Sequence, residues 1–111
     1  MVTEQDITEA TNKLSVILET LAKIDSQLVT TKFDLEELEA NAVDTGTIQG
    51  RNEAERKAQL RMMFKHERNE IIDLEADKAC LLRDADKWRS VLKSYYMILW
   101  LTEINQKTGE Q

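Results

Sequence analysis

Between Ile7 and Ala42 the apolar residues recur on a strict seven-residue schedule. One series is Ile7, Leu14, Leu21, Leu28, Leu35 and Ala42, and the other is Ala10, Ile17, Ile24, Thr31 and Leu38. Two interleaved series held over about five heptads specify a long helix with one narrow apolar stripe, because random placement would lose the phase quickly. The intervening Glu9, Lys13, Lys23, Asp25, Gln27, Asp34, Glu36 and Glu37 are polar. The stripe is therefore expected to face a partner helix while the rest of the cylinder faces water.

The ends of this repeat carry helix punctuation. Thr3 and Asp6 have the spacing of a capping box, in which the hydroxyl accepts an amide three residues on and the carboxylate reaches back. The repeat stops at Asp44-Thr45-Gly46-Thr47-Ile48-Gln49-Gly50-Arg51, where Gly46 suits a left-handed C-cap. Asn52 and Glu55 form a second capping box, with Glu53 and Glu55 in the first turn of the next helix. The seam of that helix reads Leu60, Phe64, Glu67, Ile71, Leu74, Lys78, Leu81, Ala85, Trp88, Leu92, Tyr95 and Leu99. A weaker apolar edge of Met63, Ile72, Ala79, Leu82, Val91 and Ile98 lies beside it and widens the face beyond a two-helix seam. The expected layout is one helical domain, with a helix over about 4–43, a turn at 44–52, a second helix over about 53–104 and a polar tail at 105–111 that frays.

At 1.5 Å per residue these helices would be roughly 60 Å and roughly 78 Å long, so they cannot match end to end. Folded antiparallel about Asp44 and Asn52, facing residues have numbers totalling about 96. That register sets Thr3 beside Lys93, Lys78 opposite Leu18, and Thr31 within about a turn of Glu67 as one polar layer. Ser94 to Ile104 would then project beyond the first helix. The richest apolar segment, Val91 to Leu101, falls at this end. Trp88, Leu92, Tyr95, Tyr96, Ile98, Leu99, Trp100 and Leu101 are the expected partner-binding residues, since Tyr and Trp combine apolar area with a polar edge.

Composition narrows the class. There is no proline, only three glycines lie among 111 residues, and 32% of the chain is charged, as in long exposed helices; strand signals are missing. The 15 basic and 21 acidic residues give a net charge of −6 with the signs interspersed, which argues against a surface that tracks phosphates, so no nucleic-acid partner is expected. The single cysteine, Cys80, has no internal disulfide partner and reads as a small buried hydrophobe in a reducing compartment. Met1 is followed by polar, acidic sequence unlike a signal peptide. The run Val91–Leu101 is far short of the ~20 apolar residues of a membrane helix. The expectation is a soluble, cytoplasmic protein with no membrane partner.

Candidate chemistry is sparse. His66-Glu67 opens like a zinc-protease helix, but Glu70 stands where the second histidine would be. Glu36-x-x-Glu39 and Glu70-x-x-Asp73 are carboxylate pairs of the kind that hold magnesium in all-helical nucleotide pyrophosphatases. The expected register separates them by ~15 Å along the helices, so only a dimer would bring them together. Gly46 to Asn52 lacks the lysine and preceding strand of a phosphate loop, although an exposed Ile48 and Arg51 at the tip could meet a partner. Trp88, Tyr95, Tyr96 and Trp100 have too few interleaved cations for a base-stacking platform, with only Lys87, Arg89 and Lys93 nearby. No catalytic, metal-binding or cofactor-binding residue is assigned.

Thr45-Gly46-Thr47-Ile48-Gln49-Gly50-Arg51-Asn52-Glu53-Ala54-Glu55-Arg56-Lys57-Ala58-Gln59-Leu60 resembles a segment of small helical phage and prophage proteins, in which a Gly-Lys-Asn or Gly-Arg-Asn step opens a charged helix. Those proteins are mostly of unassigned function, so the resemblance implies a viral accessory or assembly setting, in the host cytoplasm, and no site residue. The fold class expected is all-α, an antiparallel two-helix coiled-coil hairpin that oligomerises into a helical bundle. The expected function is that of a non-enzymatic structural or adaptor protein acting through self-association and its apolar C-terminal helix end. Two alternatives remain: a metal-dependent nucleotide hydrolase assembled across a dimer from Glu36, Glu39, Glu70 and Asp73, and an acidic inhibitor of a host DNA-acting enzyme.

Overall fold

A computed structural model describes residues 1–109, and among these residues the protein is all-α, with no strand. Helix α1 spans Glu4–Asp44, α2 spans Glu53–Met63 and α3 spans Lys65–Gly109. Both capping boxes form. The amide of Asp6 donates to Thr3 Oγ1 at 3.2 Å and that of Thr3 donates to Asp6 Oδ2 at 2.9 Å. The amide of Glu55 donates to Asn52 Oδ1 at 2.9 Å, while Glu55 Oε2 accepts from the Arg51 amide at 2.8 Å. Gly46 closes α1 at φ +74°, the left-handed conformation expected of it, and its amide donates to the Val43 carbonyl at 3.2 Å.

The long second helix is divided. Phe64 sits at φ −109° and ψ 32° between α2 and α3. The amides of Phe64 and Arg68 still reach the carbonyls of Leu60 and Phe64, each at 3.0 Å, so the ladder is interrupted for barely a turn. The break lies three residues before Glu67, and α3 then continues through Glu67 and Lys78. It also continues past the expected end at residue 104, to Gly109, with the Thr108 hydroxyl donating to the Ile104 carbonyl at 2.9 Å. Of the tail expected to fray, residues 105–109 are helical and 110–111 lie outside the described residues.

The chain forms two compact units, one of Lys23–Ala79 and one of Met1–Ala22 with the residues from Cys80 onward. In the first, Ile24, Leu28, Leu35, Ala42 and Ile48 are buried, and Leu60, Phe64, Ile71, Leu74 and Lys78 are half-buried. In the second, Ala10, Leu21 and Ala85 are buried, with Ile7, Leu14, Ile17, Leu81, Trp88, Leu92, Tyr95 and Leu99 half-buried. Apart from Ile48 in the turn, these are heptad positions; among the heptad positions Leu38 is instead 42% exposed, and the neighbouring Glu39 is the half-buried residue.

Within Lys23–Ala79 the register differs from the expected one. Lys78 Nζ lies 2.7 Å from Asp25 Oδ1, Lys32 Nζ lies 3.1 Å from Glu75 Oε1, and Arg68 Nη2 bonds to Glu39 Oε1. The paired numbers total 103 to 107 instead of about 96, so Lys78 faces Asp25 and not Leu18. Thr31 shares a groove with Gln27, Asp73, Leu74 and Asp77, not with Glu67. The cause is the turn. Ile48 is not exposed at a tip but buried, 7% accessible, with its amide donating to the Ala42 carbonyl at 3.3 Å. The Gln49 amide donates to Gln59 Oε1 at 3.1 Å, which holds the connection against α2. A Cβ on Gly50 would lie 2.7 Å from the Arg56 amide nitrogen. The first turns of α2 thus lie against the connection, and α1 comes level with the chain only near Met63. Phe64, where the helix breaks, is where the neighbour changes from loop to helix.

Cys80 is exposed, which corrects its reading as a buried residue. It lies two residues past the seam position Lys78 and one before Leu81, so the helical turn carries it outward. Its Sγ accepts a long contact of 3.5 Å from Arg83 Nη2.

Candidate functional site

The expected partner-binding residues all lie in the unit of Met1–Ala22 and the residues from Cys80 onward, and they divide by helix face. Trp88 packs beside Asn12, Val16 and Ile17, with Lys13 Nζ 4.5 Å and Lys87 Nζ 5.5 Å from its ring centroid. Such contacts are a cation over the negative face of an indole. Leu92, Tyr95 and Leu99 follow Trp88 along the seam and are half-buried. Tyr96, Ile98, Trp100 and Leu101 instead stand 57%, 44%, 55% and 49% exposed.

The Lys13–Trp88 contact also relocates the free end. Numbers totalling 101 bring Thr3 level with about Ile98, so the unaccompanied part of α3 begins near Leu99 instead of Ser94. The half-burial of Tyr95 and Leu99 follows, because Val2, Asp6 and Ile7 are half-buried at the same level.

Tyr96, Met97 and Trp100 form an open apolar groove along α3 with Leu92, bordered by Arg89 and Lys93. Positions three, four and seven apart on a helix share a face, so this groove is a single stripe one flank away from the seam. On α1 the corresponding flank carries Thr11, Leu14, Ser15, Leu18 and Ala22, mostly small or apolar residues, with one charge among them, Glu19. In Lys23–Ala79 the equivalent α1 positions are Asp25, Lys32 and Glu39, all engaged in ion pairs with α3.

The carboxylate pairs are brought to one level but not to one place. Since Glu39 bonds Arg68, Glu36 is level with residues near Ile71, and the separation expected from the earlier register disappears. Glu36 and Glu39 occupy the flank of Lys32, whereas Glu70, Asp73 and Asp77 line the opposite groove with Gln27 and Thr31. Glu39 is taken by Arg68, and Glu70 lies 3.3 Å from His66 Nε2 on the surface. Among the described residues no three His, Cys, Asp or Glu side chains are grouped to hold a metal ion, and no helix is long and apolar enough to cross a membrane.

The chain matches no protein-family model, no curated protein and no solved structure.

A signal for the true register was present in the sequence. Asp25, Lys32 and Glu39 are spaced by seven and alternate in sign, and Lys78, Glu75 and Arg68 complement them. A total of 96 would have set Lys32 against Phe64 and Asp25 against Ile71. Matching charges across the seam favours the register observed.

Proposed function

We propose that this chain is a non-enzymatic structural or adaptor protein, an antiparallel coiled-coil hairpin that associates with itself and presents an apolar C-terminal helix end. One observation carries the reading: Tyr96, Met97, Ile98, Trp100, Leu101 and Ile104 are all at least 40% exposed along a single stretch of α3. Scattered apolar side chains are ordinary on a surface, but a contiguous set rimmed by charge marks an interaction site. The thin core supports the same reading, since no large side chain is fully buried among the described residues. Two helices joined by a turn bury one stripe each and are marginally stable, and a second copy would add apolar burial. The sequence of the turn and first turns of α2, Thr45 to Leu60, favours a phage accessory or assembly role in the host cytoplasm.

Sedimentation equilibrium tests the association. The expected result is a dimer or larger species at micromolar concentration, weakened when Trp100 and Leu101 are replaced by glutamate with helicity retained. A folded monomer throughout would overturn the proposal.

A further inference from the structure

We infer that the α3 stripe from Arg89 to Glu103 pairs with the same stripe of a second copy, running antiparallel about a two-fold axis at Tyr96. This rests on the self-association proposed above and names its surface and register. Arg89, Tyr96 and Glu103 are spaced by seven and all exposed, so they share a face and Tyr96 lies midway between the two charges. Arg89 and Glu103 are ~21 Å apart along the axis. Reversing a second copy about Tyr96 sets each Arg89 opposite the other copy's Glu103, and a two-fold axis makes the pair twice. The same operation brings Lys93 within one residue, ~1.5 Å along the axis, of the other copy's Trp100, a cation beside an indole ring, again twice. Leu92 and Met97 fill the space between.

Three observations favour a second copy over an unrelated helix. The stripe is basic at one end, with Arg89 and Lys93, and acidic at the other, with Glu103, so it complements itself only when reversed. Arg89 is free for the purpose, its ion pair to Asp86 being a long 3.4 Å between exposed groups. The apolar members, Tyr96, Met97 and Trp100, are at least half exposed and central in the stripe, as the core of an interface between charged rims would be.

The test is a charge swap read by sedimentation, with circular dichroism reporting helicity. Arg89→Glu and Glu103→Arg each place two like-charge pairs across the axis, and each is expected to weaken association more than about tenfold. Combining both substitutions in one chain, or mixing the two single variants, restores opposite charges and is expected to restore association. Independently, Tyr96→Cys in a Cys80→Ser background is expected to form a disulfide-linked dimer under mild oxidation, whereas Met62→Cys in that background is not. A dimer indifferent to the single charge reversals overturns this pairing while leaving self-association standing. A dimer that the double swap fails to restore overturns the antiparallel register. A wild-type monomer overturns both.

Discussion

At the scale of single residues, the turn is set by two glycines that are needed for different reasons. Gly46 has φ +74° and open space around its missing Cβ, so its replacement by alanine introduces only backbone strain, about 1 kcal/mol. Gly50 has no special dihedral but lies so close to α2 that a Cβ would meet the Arg56 amide nitrogen at 2.7 Å and the Glu55 carbonyl carbon at 3.0 Å. Both obstacles are backbone and cannot swing aside. Gly50→Ala is therefore expected to destabilise the protein more than Gly46→Ala, by comparison of urea midpoints at unchanged m-value. The opposite order would mean that the connection does not rest on α2 as described. Ile48 belongs to the same arrangement, since the close approach at Gly50 keeps its side chain inside.

The helices are distinguished by what they pack against. Helix α2 contains no buried residue, because its neighbour is the connecting segment instead of a helix. Where α1 and α3 do meet in Lys23–Ala79, ion pairs line one flank of the seam, but they differ in weight. Lys32 and Glu75 are both 52% exposed, and exposed pairs contribute little against the entropy of holding two long side chains. Arg68 and Glu39 are only 38% and 24% exposed. Arg68 Nε is also buried without a partner, so losing Glu39 would leave the guanidinium poorly satisfied. A double-mutant cycle should give a coupling of about 1 kcal/mol for Glu39–Arg68 and less than about half that for Lys32–Glu75. Equal couplings would show that burial does not govern these pairs.

For the molecule as a whole, stability and association are expected to be one property. With eight hydrophobic residues buried among those described, three of them alanines, added burial in a second copy should contribute substantially to the folded state. The melting temperature should therefore rise with protein concentration in the wild type and lose that dependence in Arg89→Glu. A concentration-independent melt in a chain that sediments as a dimer would show that the interface adds nothing to folding. The net charge of −6 opposes any such association generally, which is why its surface must supply its own local complementarity.

Sequence alone determined the helical class, where the helices start and most of the inward-facing heptad positions, but not the break at Phe64, the extension of α3 to Gly109 or the exchange of Leu38 for Glu39. Periodicity at seven fixes a face, and the caps at Thr3 and Asn52 and the stop at Gly46 mark the ends through bonds made within a few residues. The same seven-residue periodicity is nearly unchanged when one helix slides past another by a heptad, so it could not by itself choose the register. Tertiary structure decided that. Burial of Ile48 and the contact of Gly50 with α2 lay the connection beside the second helix before α1 begins to pair. This carries Lys78 from Leu18 to Asp25 and breaks the helix at Phe64. The apolar stripe was legible as residues; its position beside Arg89 and Glu103, on a flank away from the seam, followed from how the helices meet.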